Sequence, residues 1–235
     1  MKKIRINLII PVLFGMLLTG CPTETTPTTY LDFENVTFNS ASYVYDGKTH
    51  ILNEVSGVPE GTKVTYTGRE SKINVGEYPA TALLSKNGYN DKKLSATLSI
   101  TPATFTNIKF NNKTVTYTGN EFSITCTNVP SFATVTYQNN KGTNAGTYNA
   151  TATISAPNYN DLTLRATLTI NKATISGVYF NDTSYVYDGL EHSVTISGSL
   201  PNGVTATYNN NKRTIAGTQE ASVTLSGPNF NTKVL

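Results

Sequence analysis

Tryptophan is missing from this 235-residue chain, cysteine and histidine occur only twice each, and charged residues make up just 14%. Each scarcity excludes something. The two histidines, His50 and His192, occupy matching places two sequence periods apart (192 − 50 = 142), so a metal or acid-base pair would have to bridge a whole intervening domain. The chain has no His-x-x-x-His, Cys-x-x-Cys, Gly-x-Ser-x-Gly or phosphate-cradling glycine loop, and no calcium loop of spaced acids. Asp46 and Asp188 recur as turn residues, too far apart for paired-carboxylate hydrolysis. We therefore expect no enzyme activity and no catalytic, cofactor-binding or metal site. The imidazoles are expected to pack beside their turns, because the repeat between them carries Phe122 at the same position. A helical period is also lacking throughout, which leaves strands and turns as the building material.

Net charge is lacking too, once the amino terminus is set aside. Lys2, Lys3 and Arg5 account for the whole formal excess of +3: removing them from 18 basic residues leaves 15, against 15 acidic ones. A neutral chain with no basic cluster has no electrostatic drive toward nucleic acid. Those three charges precede the apolar stretch Leu8 to Leu18, the order in which a secretory signal peptide begins. The stretch is too short for a comfortable bilayer span, which needs about 20 residues. Leu18-Thr19-Gly20-Cys21 follows, and it resembles the lipobox of bacterial lipoproteins. The resemblance implies cleavage before Cys21, a diacylglyceryl group on its thiol and an acylated amino group. Two or three acyl chains, at about 0.8 kcal/mol per buried methylene, anchor a protein where one would not. Residues 1–20 are thus expected to be a lipoprotein signal peptide, and 21–30, rich in Thr and Pro, an extended tether.

What the chain has in abundance is self-similarity. A Tyr-x-Gly turn recurs at Tyr45, Tyr117 and Tyr187, a Pro at Pro59, Pro130 and Pro201, and an aromatic before Asn at Tyr89, Tyr159 and Phe230. Tyr66, Tyr137 and Tyr208 close a Val-Thr-Tyr or Ala-Thr-Tyr in each copy, and Gly76, Gly146 and Gly217 complete the set. The offsets run from 70 to 72, so one period of about 71 residues fits every marker and signals an array of like modules. We divide it into repeat 1 at 31–102, repeat 2 at 103–173 and repeat 3 at 174–235. Leu235 aligns with Leu164 (164 + 71), so the third repeat is expected to be incomplete, a fragment or poorly ordered.

Within each copy the alternation has period two. Tyr148, Ala150, Ala152 and Ile154 share one face, with Tyr78, Ala80, Ala82 and Leu84 matching them in repeat 1 and Gln219, Ala221, Val223 and Leu225 in repeat 3. Leu164, Ala166, Leu168 and Ile170 form a second such face, matched by Leu94, Ala96, Leu98 and Ile100. The run Phe122 to Thr127 reads as a strand that places Cys126 with Phe122 and Ile124 as a small packed residue. Asp46-Gly47, Thr118-Gly119 and Asp188-Gly189 sit between alternating runs and suit a tight hairpin reversal. Six or seven short strands per repeat result. The expected fold is all-β: tandem small immunoglobulin-like β-sandwich modules in an extended array. A β-grasp would need a helix. The joints, Ile100 to Thr104 and Ile170 to Thr174, carry no slack and should make the array a semi-stiff rod.

Tyr45-Asp46-Gly47-Lys48-Thr49-His50, Tyr187-Asp188-Gly189-Leu190-Glu191-His192, Ala145-Gly146-Thr147-Tyr148 and Asn158-Tyr159-Asn160 together resemble the bacterial MBG ("mostly beta, glycine-rich") and YDG-type repeats. Repeat 2 departs from the motif with Thr118 for Asp46 and Phe122 for His50. The resemblance implies a surface, structural or adhesive role: a lipid-anchored protein, held at the cell membrane or outer membrane with its repeats on the extracytoplasmic side, acting as a spacer or adhesin-like stalk. The competing reading is a module that binds a host or envelope protein or a glycan through exposed tyrosines.

Overall fold

The computed structural model describes residues 29–235, so the signal peptide, Cys21 and most of the tether lie outside the described residues. Three hydrophobic cores follow one another along the chain, each under its own sheet. The first module contains β1 (Ala41–Val44), β2 (Lys63–Thr67), β3 (Gly76–Ser85) and β4 (Lys92–Thr101). The second contains β5 (Lys113–Thr116), β6 (Phe122–Ser123), β7 (Thr134–Gln138), β8 (Lys141–Gly142), β9 (Gly146–Ser155) and β10 (Leu162–Asn171). The third contains β11 (His192–Ser193), β12 (Thr205–Asn209), β13 (Lys212–Arg213), β14 (Ser222–Gly227) and β15 (Phe230–Val234). No helix occurs among the described residues, and the chain is all-β.

The long antiparallel pair β3/β4 is the spine of the first module, with Ala80 opposite Ala96, Ala82 opposite Leu94 and Tyr78 opposite Leu98. The period-two pattern holds: Ala80, Ala82, Leu84, Ala96, Leu98 and Ile100 are buried and the residues between them are not. Alanine on the spine lets the second layer approach closely. That layer brings Phe33, Val36, Phe38, Leu52 and Val55 down onto the sheet. Its backbone pairing is sparse, amounting to the bridges Thr37 to Ser56 and His50 to Lys72. β2 flanks β3 antiparallel, and β1 runs parallel to β4, giving the order β1-β4-β3-β2. A two-layer sandwich whose first strand lies parallel to its last is an immunoglobulin-like arrangement. The second module repeats it as β5-β10-β9-β7, with a short β6/β8 pair where the first has only the His50 bridge. Six strands per module are therefore reached in the second alone.

Two local expectations need correction. The Tyr-x-Gly turn does reverse the chain through a left-handed glycine (φ 75° at Gly47, 88° at Gly119, 79° at Gly189), but it makes no hairpin. β1 pairs with β4, whereas His50 pairs with Lys72, so the turn carries the chain from one layer to the other. The run Phe122 to Thr127 is likewise not one strand. Side chains intercept its backbone: Asn140 Nδ2 donates to the Ile124 carbonyl at 2.9 Å, and the Cys126 N–H donates to the Tyr137 hydroxyl at 2.8 Å. Cys126 still packs against the second core, half-buried, and burial pushes its thiol pKa up. Val55 and Ile196 stand in its place in the other modules, and their N–H groups donate to the Tyr66 and Tyr208 hydroxyls.

That repeated bond generates a prediction. Tyr137→Phe removes the only hydroxyl serving the Cys126 N–H and should lower the stability of the second module by about 1–2 kcal/mol. Hydrogen exchange resolved by module should show the loss in the second core and leave the first and third unchanged.

Candidate functional site

The chemistry-bearing residues gather in three places: the Asp-Gly turns, the ends where modules meet, and a cleft in the third module. At the first turn the Asp46 carboxylate accepts the Lys48 N–H and bonds His50 Nε2, both at 2.9 Å, and the imidazole stacks on Tyr43 with ring centroids 4.1 Å apart. The third module repeats this with Asp188, Leu190 N–H, His192 Nε2 at 3.0 Å and Tyr185 at 4.4 Å. Each histidine is thus packed beside its turn, but with a carboxylate partner four residues away that the sequence reading passed over. The signal was available: in repeat 2, where Asp becomes Thr118, His becomes Phe122 as well, so the two positions change together. The backbone N–H of Lys48, then His50, holds the Asp46 carboxyl below its ordinary pKa, and the Leu190 N–H with His192 does the same for Asp188. These are clamps on a turn. Among the described residues no group of three or more His, Cys, Asp or Glu is placed to hold a metal ion.

The module ends meet through one repeated set of contacts. At the first joint the Val75 N–H donates to Asn158 Oδ1 at 2.9 Å, and Asn158 Nδ2 donates to Asn74 Oδ1 at 3.1 Å. At the second, the Ala145 N–H donates to Asn229 Oδ1 at 2.8 Å, and Asn229 Nδ2 donates to Asn144 Oδ1 at 3.1 Å. An aromatic edge contact accompanies each, Tyr45 against Tyr159 at 5.7 Å and Tyr117 against Phe230 at 5.5 Å. Tyr159 is further held by Phe105 at 4.8 Å and Phe132 at 5.2 Å. The turn tyrosines therefore end one module by capping it with the next. In the first module Gly88 stands where Asn158 stands in the second, before Tyr89, so its lower end carries no amide of this kind.

The third module differs. Its sheet is β12-β14-β15, three strands where the others have four. Val223 and Leu225 are fully buried as the alternation requires, but Ala221 is only half-buried and Gln219 is exposed, contrary to the expectation that all four share the core face. The residues aligned with β5, Thr183 to Val186, take part in no strand pairing among the described residues, and Val186 is 88% exposed. A cleft of about 360 Å³ lies here, between 183–187 and 210–221.

The MBG domain family model matches residues 34–104 and 106–174, in tandem. No curated protein matches. Among solved structures, extracellular domains 3–5 of Drosophila OTK align at 8% identity and a TM-score of 0.24, covering 88% of this chain and 98% of that one. Immunoglobulin domains 1–5 of Sidekick-1 align at 13% and 0.25, covering 86% and 59%. EC1–2 of human mucin-like protocadherin aligns at 13% and 0.23, covering 60% and 100%.

Two outcomes are expected. Asn158→Ala removes both amide bonds of the first joint and should widen the distribution of angles between the first two modules, read as reduced agreement of their residual dipolar couplings with one shared frame, while each module keeps its own fold. Acidification should act on the turns. A carboxyl whose folded pKa is depressed contributes stability above its unfolded value, about 3.9, and loses it as pH falls through the folded pKa. Below about pH 4 the Lys48 and Leu190 amide resonances should therefore shift and exchange faster, whereas those around Thr118 should not.

Proposed function

The chain belongs to the MBG domain family, and from that premise we propose that it is a lipid-anchored bacterial surface protein whose tandem modules act as a spacer or adhesin-like stalk. The observation that carries the reading is where the tyrosines are used. Tyr66, Tyr137 and Tyr208 accept backbone N–H groups inside their modules. Tyr78 and Tyr148 donate to the carbonyls of Asn74 and Asn144. Tyr45, Tyr117 and Tyr159 build the joints, and Tyr89 packs on Phe33. Nine of the 14 tyrosines are thus committed to holding modules together or to one another, which leaves little for a contact platform. Tyr30, Tyr43 and Tyr179 are exposed at scattered positions, and surface aromatics in isolation are ordinary. A joint made twice from the same amide and the same aromatic edge favours an object that transmits position over one that only tethers.

One observation favours a protein-binding reading alongside. Tyr185, Val186, Tyr187 and Ile215 are exposed and line one cleft of the third module, and exposed apolar surface gathered in one place marks interaction sites. The proposed anchor is Cys21, with the lipobox Leu18-Thr19-Gly20 before it.

The test is to follow acyl labelling and membrane retention of wild type and Cys21→Ser in a bacterial host. The wild type should incorporate labelled palmitate and sediment with membranes. The variant should lose the label and appear in the soluble fraction. Unchanged sedimentation would remove the anchor from the reading. Saturable binding of an isolated first or second module on a protein or glycan array would displace the spacer.

A further inference from the structure

The two ends of a module are what a pull along the chain reaches first, and in the first two modules both ends are already paired. In the first, Leu31 enters against Tyr89, its N–H donating to the Gly88 carbonyl at 2.9 Å and its carbonyl accepting the Asn90 N–H at 2.8 Å. The exit lies at the other end of the same tract. There β1 runs parallel to β4, from Ala41 beside Leu98 to Val44 beside Thr101, and the Tyr45 N–H donates to the Thr101 carbonyl at 2.9 Å. The second module repeats this arrangement. Ala103 enters between the Asn158 carbonyl (3.0 Å) and the Asn160 N–H (2.9 Å), and β5 runs parallel to β10 up to the Tyr117 N–H, which donates to the Asn171 carbonyl at 2.8 Å. Ala103 follows Thr101 by two residues, so no slack chain separates one paired tract from the next.

A side chain lengthens each tract by one bond. Just before β1 the Ser40 hydroxyl accepts the Thr97 N–H at 2.9 Å, and just before β5 the Asn112 Oδ1 accepts the Thr167 N–H at 2.8 Å. Matching places (112 − 40 = 72) thus carry different residue types that make the same bond. Thr101 Oγ1 adds a donation to the Tyr43 carbonyl at 3.2 Å. When a parallel pair has its entry and its exit at opposite ends, tension makes the first and last strands slide past each other. The ladder bonds run across that direction and are evenly spaced, so sliding strains them together, whereas peeling from one end breaks them singly. A slide of one residue would also turn Leu98 and Ile100, or Leu168 and Ile170, out of their cores.

We infer that the first and second modules are load-bearing: each pairs its first strand with its last as a shear clamp that resists tension applied along the chain. The barrier to extension is the breaking of the parallel tract while the rest of the sandwich is still folded. The use of this strength rests on the stalk reading, because a stalk held at both ends carries tension. The clamp itself belongs to the modules and would survive the loss of the anchor.

The experiment holds the full chain by its two ends and records unfolding at constant force. Each clamped module should extend in one step of about 200 Å, roughly 70 residues at ~3.6 Å less the folded length. Asn112→Ala should speed one of these two steps about fivefold, the loss of one hydrogen bond, and Ser40→Ala should speed the other. Tyr137→Phe, whose bond lies outside the tract, should leave the rate under force unchanged although it lowers the stability of the second module at rest. Handles moved to positions 118 and 172, which follow β5 and β10 at the same end, should unzip the tract and open the second module faster at the same force. Equal rates in the two directions overturn the clamp. So does a rate under force that responds to Tyr137→Phe and ignores Asn112→Ala.

Discussion

The last strand of a module is the element that joins the first strand to the antiparallel sheet, and the sandwich depends on it. In the first two modules β4 and β10 each lie between an antiparallel neighbour and a parallel one. Hydrogen bonds on both sides fix the strand register, and the register puts Ala96, Leu98 and Ile100, or Ala166, Leu168 and Ile170, against the second layer. A slip of one residue would turn those side chains outward. The third module shows the dependence by contrast. Where β15 covers β14, from Thr224 to Gly227, the core side chains Val223 and Leu225 are sealed. Beyond that cover the same alternation continues in the sequence but no longer in the burial, and Ala221 and Gln219 loosen toward solvent.

The joints follow from the same economy of backbone groups. A loop at the end of a sandwich presents N–H groups that its own sheet does not use, and the Val75 and Ala145 N–H groups are of this kind. An asparagine from the following module accepts each one and donates its amide hydrogen back, so one side chain settles two polar groups while the aromatic beside it covers the Tyr-x-Gly turn. The bonds hold only if successive modules meet at one angle. A repeated angle is what separates a stalk from a string of independent beads, and it gives the spacer reading physical content.

Much of the fold was legible because period-two alternation is a local property. The residues expected inward on the two long strands are the residues found buried, from Ala80 to Leu84 and from Ala166 to Ile170. The turn glycines take the left-handed conformation expected of them. What the strands pair with was not legible. Nothing within Tyr43-Val44-Tyr45 reveals that its partner is β4, some 55 residues on, and not the segment just after the turn. The failed strand at Phe122 to Thr127 has the same origin, since Asn140 and Tyr137 are distant side chains that outbid a backbone partner.

The sequence by itself determined the tandem repetition of like modules, their all-β character, which face of each long strand is apolar, and where the chain must bend, because these rest on side-chain periodicity and on glycine conformation within a few residues. Tertiary structure alone decided that Asp46 bonds His50, that the tyrosines are spent on joints and backbone amides, and that β1 pairs with β4. Each of those is a contact between atoms whose separation along the chain, or whose choice among several partners, is set only when two layers close on one another.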